Sequence, residues 1–289
     1  MSDFLDALRD PNVAFLRYSL VAGILASVSF GVVGTYVVAR RISAIAGAIA
    51  HCVLGGIGAA LWAQKVLGWR WCDPLWGAIA SALLAAVLIG AASLMARQRE
   101  DTIIGAMWAV GMAVGLLFLA KTPGYVDPMS YLFGNILLIG RGDLWLIAGL
   151  DILVAGIGAL FYNKLLGLCF DEEFARLRNV RTTGLYMLLL CLTALTIVLL
   201  VRIVGIVMVI ALLTLPAAIA GQFSRRLWQM MLWAAGLCMI FTSLGLGVSY
   251  SLNLPSGPVI IVIAAAAYLA SAVAARLAFA LRLAWRQSE

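Results

Sequence analysis

Long uncharged runs recur along the chain and constrain its fold more than any other feature of the sequence. A run of about 20 apolar residues can cross the hydrocarbon core of a bilayer as an α-helix. The runs are continuous rather than alternating, a pattern that favours helices over a membrane β-barrel. We therefore predict an all-α, polytopic membrane helical bundle, a single domain over residues 1–289 with about nine (8–9) transmembrane helices. The predicted spans are 13–38, 43–67, 74–96, 102–120, 143–161, 183–201, 204–222, 228–250 and 257–281.

The composition excludes several function classes. Charged residues make up 11% of the chain, whereas they make up about a quarter of an ordinary soluble domain. The formal charge is +7, but the basic residues stand at the ends of apolar runs, where they set topology and attract anionic lipid, so nucleic acid is not an expected partner. The five cysteines form no CxxC pair, which is typical of small buried side chains rather than of a disulfide framework.

Residues 121–142 interrupt the pattern of spans. Prolines and glycines break this segment too often for a membrane span, yet it is too apolar for an ordinary loop. We predict a half-helix packed at the membrane face.

The basic residues also predict the orientation of the chain. If the amino terminus is outside and the carboxyl terminus is cytoplasmic, most of the 20 Lys and Arg residues stand at cytoplasmic ends of the spans. The pairs Arg40–Arg41 and Arg225–Arg226 are among them. The opposite orientation would place most of these charges outside.

Motifs of catalysis are absent from the sequence. It contains no GxxxxGK[ST] loop, no HExxH, no GxSxG and no paired-cysteine zinc motif. With a single histidine, the sequence offers no nucleophile–base pair. We therefore do not expect the chain to be an enzyme or to bind ATP itself.

The only histidine, His51, lies inside the second predicted span. A titratable imidazole is costly in a membrane, so it should face a cavity, a helix interface or a partner. Gly47, Gly55, Gly56 and Gly58 give this span a small-residue surface on which another helix can pack closely. Two interpretations stay open: a hydrogen bond to a neighbouring helix, or a place on a translocation path.

Asp151 stands inside the fifth predicted span, where a carboxylate is also costly. It either pairs with a neighbouring helix or faces the translocation path. The sequence alone does not decide between the two.

The longest predicted cytoplasmic connection is 163–182. Acidic residues that suit a helix dipole begin a short helical pattern there: Asp171, Glu172 and Glu173. Phe174, Leu177 and Val180 recur at i, i+3 and i+6 and predict one apolar face. The segment is either a solvated linker or a docking helix for a soluble partner, and the apolar face favours docking.

Four stretches, taken in order, resemble the membrane permease subunits of ABC importers for zinc, manganese and iron ions. The first is Arg-Arg-Ile-Ser at 40–43 with His51, which is similar to the RRxS…GDAxxH segment of the family. The second is Arg-Glu-Asp-Thr-Ile-Ile-Gly at 99–105 with Ser-Tyr-Leu-Phe-Gly-Asn at 130–135, and the third is Phe-Asp-Glu-Glu-Phe-Ala-Arg at 170–176. The fourth is Val-Gly-Ile at 204–206 with Leu-Pro-Ala-Ala at 215–218 and Leu-Pro-Ser-Gly-Pro at 254–258.

The resemblance implies a vitamin B12/metal-importer-type fold in a homodimer in the bacterial cytoplasmic (inner) membrane. It also implies a cytoplasmic ABC ATPase dimer that hydrolyses ATP, an extracytoplasmic metal-binding protein, and zinc, manganese or iron as the transported ion, with no cofactor bound by this chain. His51 is the implied transient metal ligand, and Asp151 is a further candidate. The residues implied to contact the ATPase are Asp171, Glu172, Glu173, Phe174, Ala175, Arg176 and Leu177.

Two positions depart from the family pattern. Gly47 stands where the family usually has an aspartate, which would place a carboxylate and the His51 imidazole on one helical face. Asn253 stands where many relatives have another aspartate. The rival interpretation is a stand-alone secondary carrier for a metal or small solute, although the chain has few buried acids and its cytoplasmic segment favours docking.

Overall fold

The computed structural model describes residues 14–69, 71–95, 100–124, 128–134 and 139–287, and every secondary-structure element in those ranges is a helix. In chain order the helices are α1 (Ala14–Ala39), α2 (Ser43–Val66), α3 (Pro74–Met95), α4 (Glu100–Lys121), α5 (Pro128–Phe133), α6 (Arg141–Leu160), α7 (Tyr162–Phe170), α8 (Glu172–Leu177), α9 (Thr182–Val204), α10 (Ile206–Phe223), α11 (Leu227–Leu252) and α12 (Ser256–Gln287). Within these ranges nine helices are long and apolar enough to span a membrane, which confirms the predicted helical membrane bundle.

The spans are helical because a helix satisfies its own backbone hydrogen bonds where no water is present. The turn after α1 shows how the chain leaves one span and enters the next. Arg41 has a φ of 63°, and the backbone N–H groups of Arg41 and Ile42 donate to the carbonyls of Val38 and Val37 at 3.1 and 2.9 Å. This Schellman arrangement ends α1 and lets α2 begin at Ser43.

The helix that carries the histidine lies at the centre of the bundle. The most apolar window of α2 is 78% buried, whereas the corresponding window of α12 is 11% buried. α2 packs against α3 and α4, while α1 packs against α6, α10 and α11. Helices α3 and α4 therefore cover α2, and helices α6, α10 and α11 cover α1. Helix α12 lies at the outside and presents most of its apolar surface outward.

Glycines bring α2 and α4 into backbone contact. A Cβ placed on Gly115 of α4 would lie 2.7 Å from the carbonyl carbon and oxygen of Leu54 in α2, and one on Gly58 would lie 2.6 Å from the oxygen of Gly115. A Cβ on Gly111 would lie 2.8 Å from the Cα of Cys52. Such small-residue contacts allow two membrane helices to approach closely and fix their register.

At the end of α9 that is farthest from α8, three glycines pack α5 against the junction of α9 and α10. A Cβ on Gly134 would lie 2.3 Å from the carbonyl carbon of Val204, and one on Gly205 would lie 2.2 Å from the backbone nitrogen of Gly134. Gly257 approaches the oxygen of Phe133 in the same way. The short helix predicted within residues 121–142 is present here as α5.

Gly205 also sets the boundary between the sixth and seventh predicted spans. Its φ of 86° belongs to the left-handed region, which ends a helix. α9 therefore continues to Val204, beyond the predicted end at residue 201, and α10 begins at Ile206 rather than at residue 204.

The predicted apolar face over Phe174, Leu177 and Val180 is wrong at its last member. Helix α8 ends at Leu177, and Asn179 has a φ of 60°. The backbone N–H groups of Asn179 and Val180 donate to the carbonyls of Arg176 and Ala175 at 2.9 and 3.1 Å. Val180 thus follows a Schellman cap, for which asparagine is the usual alternative to glycine, and does not extend the helical face.

Candidate functional site

His51 lies about 12 Å along α2 from the first residue of that helix, given a rise of 1.5 Å per residue. Its side chain is buried, with 8% of its surface exposed. None of the described residues forms a hydrogen bond with its buried Nδ1. An imidazole nitrogen without a partner at this depth is the kind of group that can bind an ion in transit.

The indole of Trp108 in α4 covers this histidine. The two ring centroids are 4.6 Å apart and the ring planes differ by 25°, so the rings are stacked. Trp108 itself is half-buried and packs against the main apolar core. The contact that the structure shows between His51 and a neighbouring helix is this aromatic one, and both interpretations of His51 stay predictions.

The same indole also covers Gly47, one helical turn before His51. A Cβ at Gly47 would lie 2.6 Å from Cζ3 and 3.0 Å from Cη2 of Trp108. No side chain fits at position 47 while the indole stays where it is. The departure from the family aspartate therefore has a structural counterpart in α4.

The residue after His51, Cys52, is already engaged with α4. The thiol of Cys52 donates to the backbone carbonyl of Met107 at 3.3 Å. Among the residues that the structure describes, no three His, Cys, Asp or Glu side chains gather as a set that could hold a metal ion.

Asp151 joins α6 to α1. Its Oδ1 accepts hydrogen bonds from the backbone N–H and the hydroxyl of Ser29, at 3.2 and 2.5 Å. Its Oδ2 is buried and has no partner among the described residues. These contacts support the structural alternative for Asp151, and its role as a metal ligand stays a prediction.

The segment predicted to be cytoplasmic, 163–182, contains two short helices, α7 and α8, and two of its predicted contact residues face the permease itself. Ala175 is buried, and a Cβ on Gly167 of α7 would lie 3.5 Å from its methyl group. Glu172 forms ion pairs with Arg40 at the end of α1 and, at 2.7 Å, with Arg176 one turn later. Partial burial raises the pKa of Glu172, but the hydrogen bonds and charges of the two arginines outweigh it, so the pKa is lowered overall.

The other face of α8 is exposed. Leu177 has 86% of its surface exposed, although it is a large apolar residue. Other members of the predicted contact set are exposed as well: Asp171, Glu173 and Arg176. The side chain of Phe174 lies outside the described part of the chain.

Sequence reasoning missed the partners of this segment. The guanidinium of Arg40 lies 5.8 Å from the ring centre of Tyr186, whose hydroxyl donates to Ser93 at 3.2 Å. Together with Glu172 and Glu173, these residues line an open cleft of about 440 Å³. The paired arginines at 40–41 serve in the sequence as a topology signal and as part of the family resemblance, and nothing in the sequence connects them to residue 172.

The stretches that carry the resemblance meet in two places. Arg40 of the first stretch contacts Glu172 of the third, and Gly134 of the second contacts Gly205 of the fourth. Helix α9, with 23 residues and a length of about 35 Å, runs from the first of these clusters to the second.

Comparison with known proteins agrees with this arrangement. Residues 12–275 match the ABC 3 transport family. The chain belongs to that family. The resemblance drawn from the four stretches is thereby confirmed at the level of the family.

Relatives of this ABC 3 family member are similar over nearly their full length. The chain is 39% identical to a probable metal transport system membrane protein of Chlamydia trachomatis, over 86% of this chain and 85% of the relative. It is 31% identical to the manganese import system permease protein ScaB of Streptococcus parasanguinis, over 94% of both chains. The solved structure of PsaBC from Streptococcus pneumoniae in complex with Fab superposes with a TM-score of 0.81 at 29% identity, over 93% of this chain and 94% of that one.

Proposed function

We propose that this chain is the permease subunit of an ABC importer that carries a divalent metal ion, such as zinc, manganese or iron, into the cytoplasm. The observation that supports this most is the family match over residues 12–275, together with relatives named for metal and manganese transport. The permease catalyses no reaction itself, and ATP hydrolysis by a partner ATPase dimer drives transport.

The proposed ion path passes His51. The imidazole is buried in the most enclosed span and its Nδ1 has no partner among the described residues, so it is available as a transient ligand. A single neutral ligand holds an ion weakly, which favours release along a path. Asp151 is proposed mainly as a tie between α1 and α6, because Ser29 already occupies one of its oxygens.

The proposed contact with the ATPase is the exposed face of α8. Leu177 is apolar and almost fully exposed at the end of a short helix between two spans, a placement that suits insertion into a groove of a soluble partner. Two copies of the permease would form a homodimer, with an extracytoplasmic binding protein on the opposite side. The orientation follows the basic residues, with the carboxyl terminus in the cytoplasm of a bacterium.

Uptake into liposomes tests the proposal. The complete complex of permease, ATPase and binding protein should take up Zn²⁺, Mn²⁺ or Fe²⁺ only when ATP is supplied. His51→Ala should abolish uptake, but it should also lower the thermal stability of the detergent-purified permease, because it removes a buried ring that stacks on Trp108. His51→Phe keeps a ring at this position without a ligand nitrogen, and should abolish uptake with a smaller loss of stability. Uptake by the permease alone along an ion gradient would instead support a secondary carrier. Normal uptake by His51→Ala would remove His51 from the path.

A further inference from the structure

The space beside His51 is filled by Trp108 and not by a second ligand. The indole stacks on the imidazole at 4.6 Å between ring centroids, and its six-membered ring reaches over Gly47. Residues 47 and 51 lie one turn apart on the same face of α2, where two side chains would otherwise meet. One aromatic side chain therefore covers both positions.

The position of Trp108 is fixed by the packing of its helix. Gly111 and Gly115, which follow it in α4, meet the backbone of α2 so closely that neither helix can slide without a clash. Met107, which precedes it, accepts the hydrogen bond from Cys52. The backbone that carries the indole is therefore held on both sides of residue 108, which places the indole over Gly47.

This arrangement decides which ligands an ion meets. Position 47 lies one turn from the imidazole, so a carboxylate there could reach an ion shared with His51, but the indole occupies that space. An ion at His51 then meets imidazole nitrogen and an aromatic face. Imidazole suits zinc and other borderline ions, whereas manganese is bound best where carboxylate oxygens are present.

We propose that Trp108 is the specificity-determining residue of this permease: by filling the space over Gly47 it excludes an anionic ligand and makes the path select Zn²⁺ over Mn²⁺. The inference rests on the proposed function, in which His51 contacts the transported ion. It differs from what the names of the manganese-transporting relatives would indicate for this chain.

The test measures competition between Zn²⁺ and Mn²⁺ for ATP-dependent uptake by the complete complex in liposomes. Parent protein should prefer Zn²⁺. Gly47→Asp alone should lower the thermal stability of the permease, because its Cβ would lie 2.6 Å from the indole. Gly47→Asp combined with Trp108→Ala should recover stability and shift the uptake ratio toward Mn²⁺ by roughly tenfold, the equivalent of about 1.4 kcal/mol.

Two single variants are added to the experiment: Trp108→Ala tests the indole alone, and Trp62→Ala is the matched control. Trp62 makes the other aromatic contact between α2 and α4, with Phe118 at 5.6 Å, but lies three turns from His51. Trp108→Ala admits water oxygens beside the ion but adds no carboxylate, so it should shift the ratio toward Mn²⁺ less than the double variant does. Trp62→Ala should leave the ratio unchanged. The Trp108→Ala arm keeps the test informative if the double variant does not fold.

The outcomes separate this inference from the function on which it rests. If His51→Ala stops uptake but neither Trp108 variant changes the ratio, Trp108 is only a packing residue and the inference fails. If Trp62→Ala shifts the ratio as much as Trp108→Ala, the effect belongs to the α2–α4 contact in general, and the inference fails as well. If His51→Ala transports both ions normally, the proposed role of His51 fails first.

Discussion

The contact of α2 with α4 and the contact of α8 with the end of α1 join neighbouring helices by opposite means. Around His51 the helices meet through glycine backbones and an aromatic stack, with almost no polar contact. At α8 the joint is ionic, since Glu172 pairs with Arg40 and Arg176, and the paired side chains stay partly exposed.

The difference indicates which of the two helix contacts can separate at a small cost in free energy. Close-packed glycine contacts lose several favourable contacts at once when the helices separate, and an added methyl group has nowhere to go. A half-exposed ion pair contributes little to stability and exchanges easily with water. We therefore expect α2 and α4 to move as a unit during transport, and the ionic joint at α8 to break and form.

The largest expected effect is on the packed contact. Gly115→Ala should destabilise the purified permease by about 1–3 kcal/mol, because the new methyl group would lie 2.7 Å from backbone atoms of Leu54. Thermal unfolding in detergent measures the loss. Gly105→Ala in the same helix is the matched control, since nothing lies within 4 Å of its Cβ and stability should be unchanged. Alanine favours a helix more than glycine does, so helix propensity cannot cause a loss of stability. An equal loss at both positions would mean that the close packing at Gly115 is not its cause.

A second, functional effect is expected at the exposed face of α8. Leu177→Asp should leave thermal stability unchanged but reduce the amount of ATPase that co-purifies with the permease and uncouple ATP hydrolysis from uptake. Leu168→Asp in α7 is its counterpart, because that side chain is fully buried and the substitution should unfold the segment. Normal ATPase binding and uptake by Leu177→Asp would show that the partner docks elsewhere.

The smallest effect is expected at the ionic joint. Glu172→Gln should lower stability by less than about 1 kcal/mol near neutral pH, as for other partly exposed pairs. Because the folded pKa of Glu172 is lowered, its contribution is complete above its ordinary pKa of 4.5 and is lost as the pH falls from there through the folded pKa.

Unfolding of the parent and of Glu172→Gln across pH measures this contribution. The difference between them should be constant from about pH 8 to pH 5 and shrink in stronger acid. Glu173→Gln, at the exposed neighbouring carboxylate, should differ less from the parent at every pH. A difference that grows as the pH falls would mean that Glu172 is stabilised in its protonated form.

The sequence predicted the spans because a long apolar run in hydrocarbon must satisfy its own backbone hydrogen bonds, which a helix does. It predicted the start of α8 from the acidic residues there, which suit the helix dipole. It did not predict that Trp108 covers His51. Nothing distinguishes this residue from the other eight tryptophans until the register of α4 on α2 is known, and that register depends on glycines distant in the chain. The sequence also did not predict that Glu172 pairs with Arg40, because the two residues lie on different helices whose packing the sequence does not reveal.

Asn253 shows what a departure from a family pattern can mean physically. It ends α11 with a φ of 52°, a left-handed conformation that asparagine adopts more readily than most residues. Gly47, by contrast, is understood only with the indole of Trp108 in place. The asparagine at 253 is explained by its own backbone conformation, and the glycine at 47 by a side chain that is distant in the sequence.

The contact between Gly134 and Gly205 has a consequence for how this protein can change over generations. At most packed positions a larger residue on one side can be accommodated by a smaller one on the other, so paired substitutions accumulate. Here both partners already have the smallest side chain, both have positive φ, and they touch through their backbones. No second substitution can restore what the first removes, so a lineage that loses either glycine must rebuild the junction of α9 and α10.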